Sequence, residues 1–298
     1  MDNLTHTLVG AALTEAGLKK RTALASATLM IGANFPDVDV IALFFPGSLD
    51  VRRGITHGFP ALAILPFVLA WLMLLYDRHV RRRRDPSAEP ADYRQLTLLA
   101  AVAIWTHPTL DFMNTYGMRW LMPMVNKWFY ADALFIVDPW ILLVLGVGVW
   151  MTRRRVSVQP ARVALGAVAA YIVVMLGITS LAREQAGGGG MGSRLMMAPV
   201  PLVPWERQMV KDEGAHYQLG RWSLFGGLTP GAQLPKGDTG PDREAVMRAR
   251  EDPGIQPFLR WSRFPVYWVR RAGGVTIVNI EDARYRGADW ASAGVALP

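Results

Sequence analysis

Apolar runs broken by short polar motifs alternate through roughly the first 182 residues, and the pattern then stops. Residues 4–18 form a short apolar stretch carrying Thr5, His6, Thr7, Thr14 and Glu15, and Lys19, Lys20 and Arg21 close it. Residues 23–45 are apolar but interrupted by Asn34-Phe-Pro-Asp-Val-Asp39, and Arg52-Arg-Gly-Ile-Thr-His57 follows as a polar loop. Residues 59–76 are an unbroken apolar run, roughly 27 Å long at the helical rise and close to the thickness of a bilayer core. A basic segment, 78–84, leads into a charged, Pro-containing loop that reaches Asp92. Residues 96–105 run into the motif 105–117, WTHPTLDFMNTYG, and further apolar runs occupy 134–151 and 162–181.

Beyond the Gly187–Gly190 stretch, which reads as a flexible linker, Pro, Trp and charge replace the long apolar runs. Residues 267–271 and 275–280 flank Ala272-Gly-Gly274, the signature of a β-hairpin with a Gly turn. Residues 216–224 read as a strand and 242–251 as a short helix. The expected fold is mainly α: a polytopic helical membrane domain over residues 1–185, then a small β-rich soluble domain over 191–298. The second domain lacks metal-ligand types at a useful spacing and is expected to fold without metal.

Composition agrees with a membrane part. The chain is 51% hydrophobic with a mean hydropathy of +0.18, too apolar for an ordinary soluble protein. It has no cysteine, which excludes disulfides and thiolate metal sites. A net charge of +8 is often a sign of nucleic-acid binding. Here, however, Lys and Arg cluster between apolar runs, so they read as orientation signals and no nucleic-acid partner is expected. The opening octapeptide MDNLTHTL lacks a basic start, so no cleavable signal peptide is expected. By the positive-inside rule the clusters at 19–21, 78–84 and 153–155 face the cytoplasm. The 52–57 loop, the 112–133 loop and the C-terminal domain then face outward.

That topology sorts the candidate chemistry. Asp37 and Asp39 fall near the outer end of the second segment, His57 opens the third, His107 and Asp111 close the fourth, Asp138 opens the fifth, and His6 lies toward the outer end of the first. Ionisable groups at membrane depth are costly and rarely idle. On a helix His107 and Asp111 stand at i and i+4 on one face, with Asn114 next along it, so an imidazole and a carboxylate can reach one divalent ion. Pro108 between them is expected to kink or restart that helix. Each motif also has a plain structural reading: a capped helix end for His107, a turn for Pro36-Asp-Val-Asp39, a helix N-cap for Asp138. The dipeptide Thr-His occurs at 5–6, 56–57 and 106–107, where a Thr can hydrogen-bond behind a ligand His. His79, among arginines, reads as solvated, and His216 as structural. Trp105, Trp120, Trp128 and Tyr130 fit an interfacial aromatic belt.

With His6, Pro36-Asp37-x-Asp39, Arg53-Gly-x-Thr-His57 and His107-x-x-Leu-Asp111-x-x-Asn-x-Tyr-Gly117, the sequence resembles the bacterial membrane-bound metal-dependent hydrolase family. That family is an inner-membrane group with distant kinship to zinc phospholipase C and single-strand-specific nucleases. The resemblance covers residues 1–182 and continues more loosely at 198–205 and 283–285. It implies a multi-pass inner-membrane hydrolase with a divalent metal, zinc foremost, held by His6, Asp37, Asp39, His57, His107 and Asp111. Asp138 is expected as a further ligand or base, and Arg52, Arg53 and Arg119 as receivers of an anionic head group. Many members carry His-Arg-Gly-x-Thr-His-Ser, where this chain has Arg52 in place of the His and Gly58 in place of the Ser. The expected substrate is a phosphoester or lipid-linked molecule at the outer leaflet, and the expected surroundings are the bilayer and the envelope. The competing expectation is a non-enzymatic protein whose structural or transport metal site presents the C-terminal domain to a partner.

Overall fold

The computed structural model describes residues 1–44, 51–188 and 194–297. The chain divides into two compact units. Met1–Val40, Arg53–Thr179 and Ala198–Pro204 form the first, and Ile41–Arg52, Ser180–Met197 and Trp205–Pro298 the second.

The first unit is helical. Helix α1, Asn3–Glu15, starts where the Asp2 carboxylate accepts from Thr5 N, and stops before Gly17, whose φ of 118° no helix continues through. Helix α2, Ala25–Gly32, gives way to a 3₁₀ stretch, Phe35–Phe44, at the Pro-Asp-Val-Asp motif. A single 3₁₀ turn, Ile55–His57, leads into α3, Phe59–Tyr76, with Pro60 in its first turn. A wider turn, Asp77–Arg81, carries this helix on to Arg84. Helix α4, Tyr93–Phe112, is N-capped by Asp92, which accepts from Gln95 N at 2.7 Å. It runs through Pro108 as one helix, so the helix does not restart there. Helix α5, Pro139–Arg155, begins at the Asp138 cap rather than at residue 134, and α6 is Gln159–Gln185.

Helix α4 is the centre of this unit. One side packs Leu96, Ala100 and Ile104 against Leu62, Leu69 and Met73 of α3. Another packs Leu99 and Ala103 against Ala25, Leu29 and Ala33 of α2. His107 and Asp111 continue this buried side of the helix beyond Ala103 and Ile104, at i+3/i+4 spacing, while Leu98, Val102 and Trp105 on the opposite side are exposed.

One expectation is not supported by element length, and another needs correction. Among the described residues two helices are long and apolar enough to cross a membrane, Phe59–Arg84 and Gln159–Gln185, so element lengths do not support the polytopic arrangement. The thirteen residues of α1 reach roughly 20 Å, the eight of α2 less, and α5 ends in three arginines. The fold is also mixed rather than mainly α, because the C-terminal part is built on antiparallel sheets.

Four strands, β1 (Leu195–Val200), β2 (Val203–Asp212), β3 (His216–Ser223) and β4 (Gly227–Pro235), lie in sequence order in one sheet. Helices α7 (Arg243–Glu251) and α8 (Gln256–Trp261) follow. Strands β5 (Pro265–Ala272), β6 (Val275–Asp282) and β7 (Ser292–Leu297) form a second, three-stranded sheet. The expected hairpin is present, with Ala272 opposite Val275 and the turn residues Gly273 and Gly274 at φ 59° and 80°. The expected strand at 216 and helix at 242 are β3 and α7. Of the expected linker, Gly189 and Gly190 lie outside the described residues.

Candidate metal centre

Four side chains from three separate segments converge in the first unit. Asp37 comes from the 3₁₀ stretch after α2, His57 from the 3₁₀ turn before α3, and His107 and Asp111 from one face of α4. One ligand atom from each lies within 4.8 Å of all the others. His57 Nε2 is 3.3 Å from His107 Nε2, and each of these nitrogens is 3.7 Å from Asp37 Oδ1. Asp111 Oδ2 lies 3.6 Å from His57 Nε2 and 3.4 Å from His107 Nε2. Ligand atoms in a tetrahedral site with bonds of about 2.0–2.2 Å stand about 3.3–3.6 Å apart. The three edges among His57, His107 and Asp111 fall in that range, and the two to Asp37 are 3.7 Å.

The hydrogen bonds behind the imidazoles decide what the nitrogens present. His107 Nδ1 is 2.7 Å from the carbonyl oxygen of Ala33, which can only accept, so Nδ1 carries the proton and Nε2 turns a lone pair toward the cluster. His57 Nδ1 faces Thr56 Oγ1 at 3.0 Å and Asp39 Oδ2 at 3.5 Å, which favours the same tautomer. Two lone pairs 3.3 Å apart, flanked by two carboxylates, repel one another unless a proton or a metal cation lies among them. The donor set could hold a divalent ion, and a carboxylate behind a ligand His is the usual supporting arrangement. His57, His107 and Asp111 are fully buried, whereas Asp37 retains about 9% exposure and lines a groove of about 460 Å³ with Asn3, Met30, Asn34, Phe35 and Val38.

The other expected site residues take different places. Asp39 lies behind His57, where it also accepts from Arg53 N at 2.7 Å and Thr56 Oγ1 at 3.3 Å. His6 is buried and stacks on His107 with ring centroids 3.8 Å apart. Its Nε2 is 3.4 Å from Asp111 Oδ1, yet neither ring nitrogen makes a hydrogen bond among the described residues. Arg53, expected at an anionic head group, is buried instead, with Nη2 3.0 Å from Asp111 Oδ1 and Nη1 donating to Asn114 Oδ1 and Gly117 O. The Tyr116 ring lies over it at 4.6 Å. The Met1 amino group also contacts Asp111 Oδ1. Arg119 is likewise buried, against Asn126 and the Trp128 ring. Asp138 caps α5 by accepting from Trp140 N and Ile141 N and takes a hydrogen bond from Tyr171 Oη, with no cluster residue among these partners. Arg52 is assigned to the second compact unit.

Sequence reasoning missed three supports. The Ala33 carbonyl leaves no side-chain signal. The Arg53 contact with Asp111 was hidden because a basic residue in a polar loop reads as exposed. Asn114 and Gly117 were visible in the motif, but their task was not. Asn114 Oδ1 accepts from Tyr116 N and Gly117 N, forming the turn after α4. Gly117 sits at φ 83°, and a Cβ there would come within 2.3 Å of the Tyr130 ring, so only glycine fits where its carbonyl meets Arg53. Of the three Thr-His pairs only Thr56 supports a ligand. Thr5 bonds Asp2, and Thr106 bonds the Ala103 carbonyl. Gly58 stands where the resembled family has Ser, and a Cβ there would lie 2.1 Å from Met122 O.

Residues 1–186 match the family described as YdjM inner membrane protein, and the chain belongs to that family. Over 163 residues the chain is 26% identical to "Uncharacterized protein YfhP" of Bacillus subtilis (strain 168), an alignment covering 50% of this chain and 46% of that one. The chain thus spans about half the length of the curated relative it matches. No solved structure matches it.

Proposed function

We propose that this member of the YdjM inner membrane protein family is a metal-dependent hydrolase, with zinc held by Asp37, His57, His107 and Asp111. The single observation that carries the reading is the convergence of two imidazoles and two carboxylates within 4.8 Å of one another, with one of them, Asp37, open to a groove. When bound, such an ion supplies Lewis acidity, which acidifies water and polarises a phosphoryl or acyl oxygen. The chain's own residues do the rest. Asp39 and the Ala33 carbonyl fix the two imidazole tautomers. Arg53 holds Asp111 in place and balances its charge. Asn34, whose Nδ2 donates to Thr7 Oγ1 and the Met30 carbonyl, lines the groove beside Asp37 and orients what enters it.

In this reading the shorter helices lie within the membrane alongside the two long ones, the protein is multi-pass, and the site opens at the outer leaflet. The substrate is then a phosphoester or a lipid-linked molecule of the envelope, and nucleic acid is not a partner. A structural metal clamp is the second reading, favoured by the complete burial of three of the four ligands. Purified full-length protein should contain about one zinc per chain by metal analysis. It should hydrolyse some member of a panel of lipid and phosphoester substrates, losing that turnover on chelation and regaining it with zinc. Stoichiometric zinc with no metal-dependent turnover across the panel would favour the clamp, and absence of bound metal would refute both.

A further inference from the structure

We propose that the groove between α5 and α6 binds one anionic phospholipid. This groove has a volume of about 580 Å³, within the range of small-molecule sites, and shares no residue with the metal cluster. Leu143, Val147 and Met151 of α5 face Val163 and Ala167 of α6 across it, and Arg155 closes one end. The two helices meet closely where Gly148 faces Ala164, since a Cβ on Gly148 would lie 2.3 Å from the Ala164 methyl. Gly148 and Ala164 themselves line the trough, with the larger side chains on either side of them. Leu143 and Val163 are more than half exposed there, a state that an inner membrane protein satisfies with acyl chains.

Charge decides which lipid. Four arginines surround the α5–α6 turn, and three already have partners. Arg153 bonds Glu15 at 2.9 Å, Arg154 lies over the Trp150 ring, and Arg162 donates to the Ala16 carbonyl at 2.9 Å. Arg155 makes no side-chain hydrogen bond, ion pair or ring contact among the described residues, and Gln159 beside it offers a partner-free amide. A guanidinium and an amide at the end of an apolar trough match a phosphate group above an acyl chain. Basic pockets between membrane helices recognise anionic head groups in this way.

The test uses the full chain in detergent micelles containing equal phosphatidylglycerol and phosphatidylcholine, with retained lipid read by native mass spectrometry. Wild type should retain phosphatidylglycerol in preference. Arg155→Gln should lower that preference about fivefold, the contribution of one basic side chain near a head group, while total phosphatidylcholine retention stays the same. Ala167→Trp, which fills the trough, should reduce retention of both lipids. Arg78→Gln, a basic residue outside the groove, should leave the preference intact. The proposal is overturned if wild type retains the two lipids equally or if Arg78→Gln acts as strongly as Arg155→Gln. It also fails if Ala167→Trp leaves lipid retention unchanged but dissociates a dimer, which would mean that a second copy covers the trough.

Discussion

Replacing Asp39 by Asn separates a supporting carboxylate from a ligand. Asn keeps the size of the side chain, and its amide oxygen can still accept from Arg53 N, which now donates to Asp39 at 2.7 Å. What disappears is the negative charge facing His57 Nδ1. Carboxylates in that position typically contribute 10–100-fold to metal affinity, about 1.4–2.7 kcal/mol. The Nδ1–Oδ2 distance is 3.5 Å, longer than the roughly 2.7–2.9 Å of a tight charge-assisted bond. The lower end is therefore expected, about tenfold or ~1.4 kcal/mol. Asp37→Asn removes a charged ligand oxygen from the cluster itself and should cost substantially more. Competition between the purified full chain and a chromophoric zinc chelator measures both variants on one scale. Thermal unfolding in excess chelator shows whether either substitution acts through the fold instead. The reasoning fails if Asp39→Asn weakens zinc binding as much as Asp37→Asn does, or if neither changes it.

Three further outcomes follow from the same structure. Asp111→Ala should strip zinc and also destabilise the metal-free protein by about 3–5 kcal/mol, because it removes the carboxylate that lies 3.0 Å from the buried Arg53 guanidinium; chelator-treated thermal melts of wild type and variant give the difference. Gly58→Ser, which restores the residue of the resembled family, should destabilise by about 1–3 kcal/mol, since the new Cβ would press on Met122 O; an unchanged melting temperature would show that the loop yields freely. In the C-terminal part, burial pushes the Asp282 carboxyl up, but the Arg284 guanidinium and the Ser262 hydroxyl outweigh it and hold it below its ordinary value. A depressed folded value means that the stabilisation is complete above the unfolded carboxyl range, near pH ~4, and is lost as pH falls through the folded value. Acid unfolding followed by tryptophan fluorescence should show that step in wild type and its loss in Asp282→Asn.

Local spacing was legible without a structure. The i and i+4 positions of His107 and Asp111 place them 3.4 Å apart because helical geometry alone brings them together. The Gly-Gly hairpin and the Asp138 cap are equally local, since turn and cap chemistry act within a few residues. Charge clusters suggested one common depth for the six candidate ligands. Depth is a single coordinate, however, and it cannot say which side chains meet. Only packing decided that Asp37 turns into the cluster while Asp39, two residues on, backs His57. Only packing laid His6 flat on His107 and drew Arg53 inward from a loop that reads as solvent-exposed. It also kept α4 continuous through Pro108, where the flanking contacts with α2 and α3 outweigh one lost hydrogen bond. Spacing along one helix is set by its backbone, whereas the meeting of 37, 57 and 107 depends on how separate segments share one core, and no local pattern encodes that.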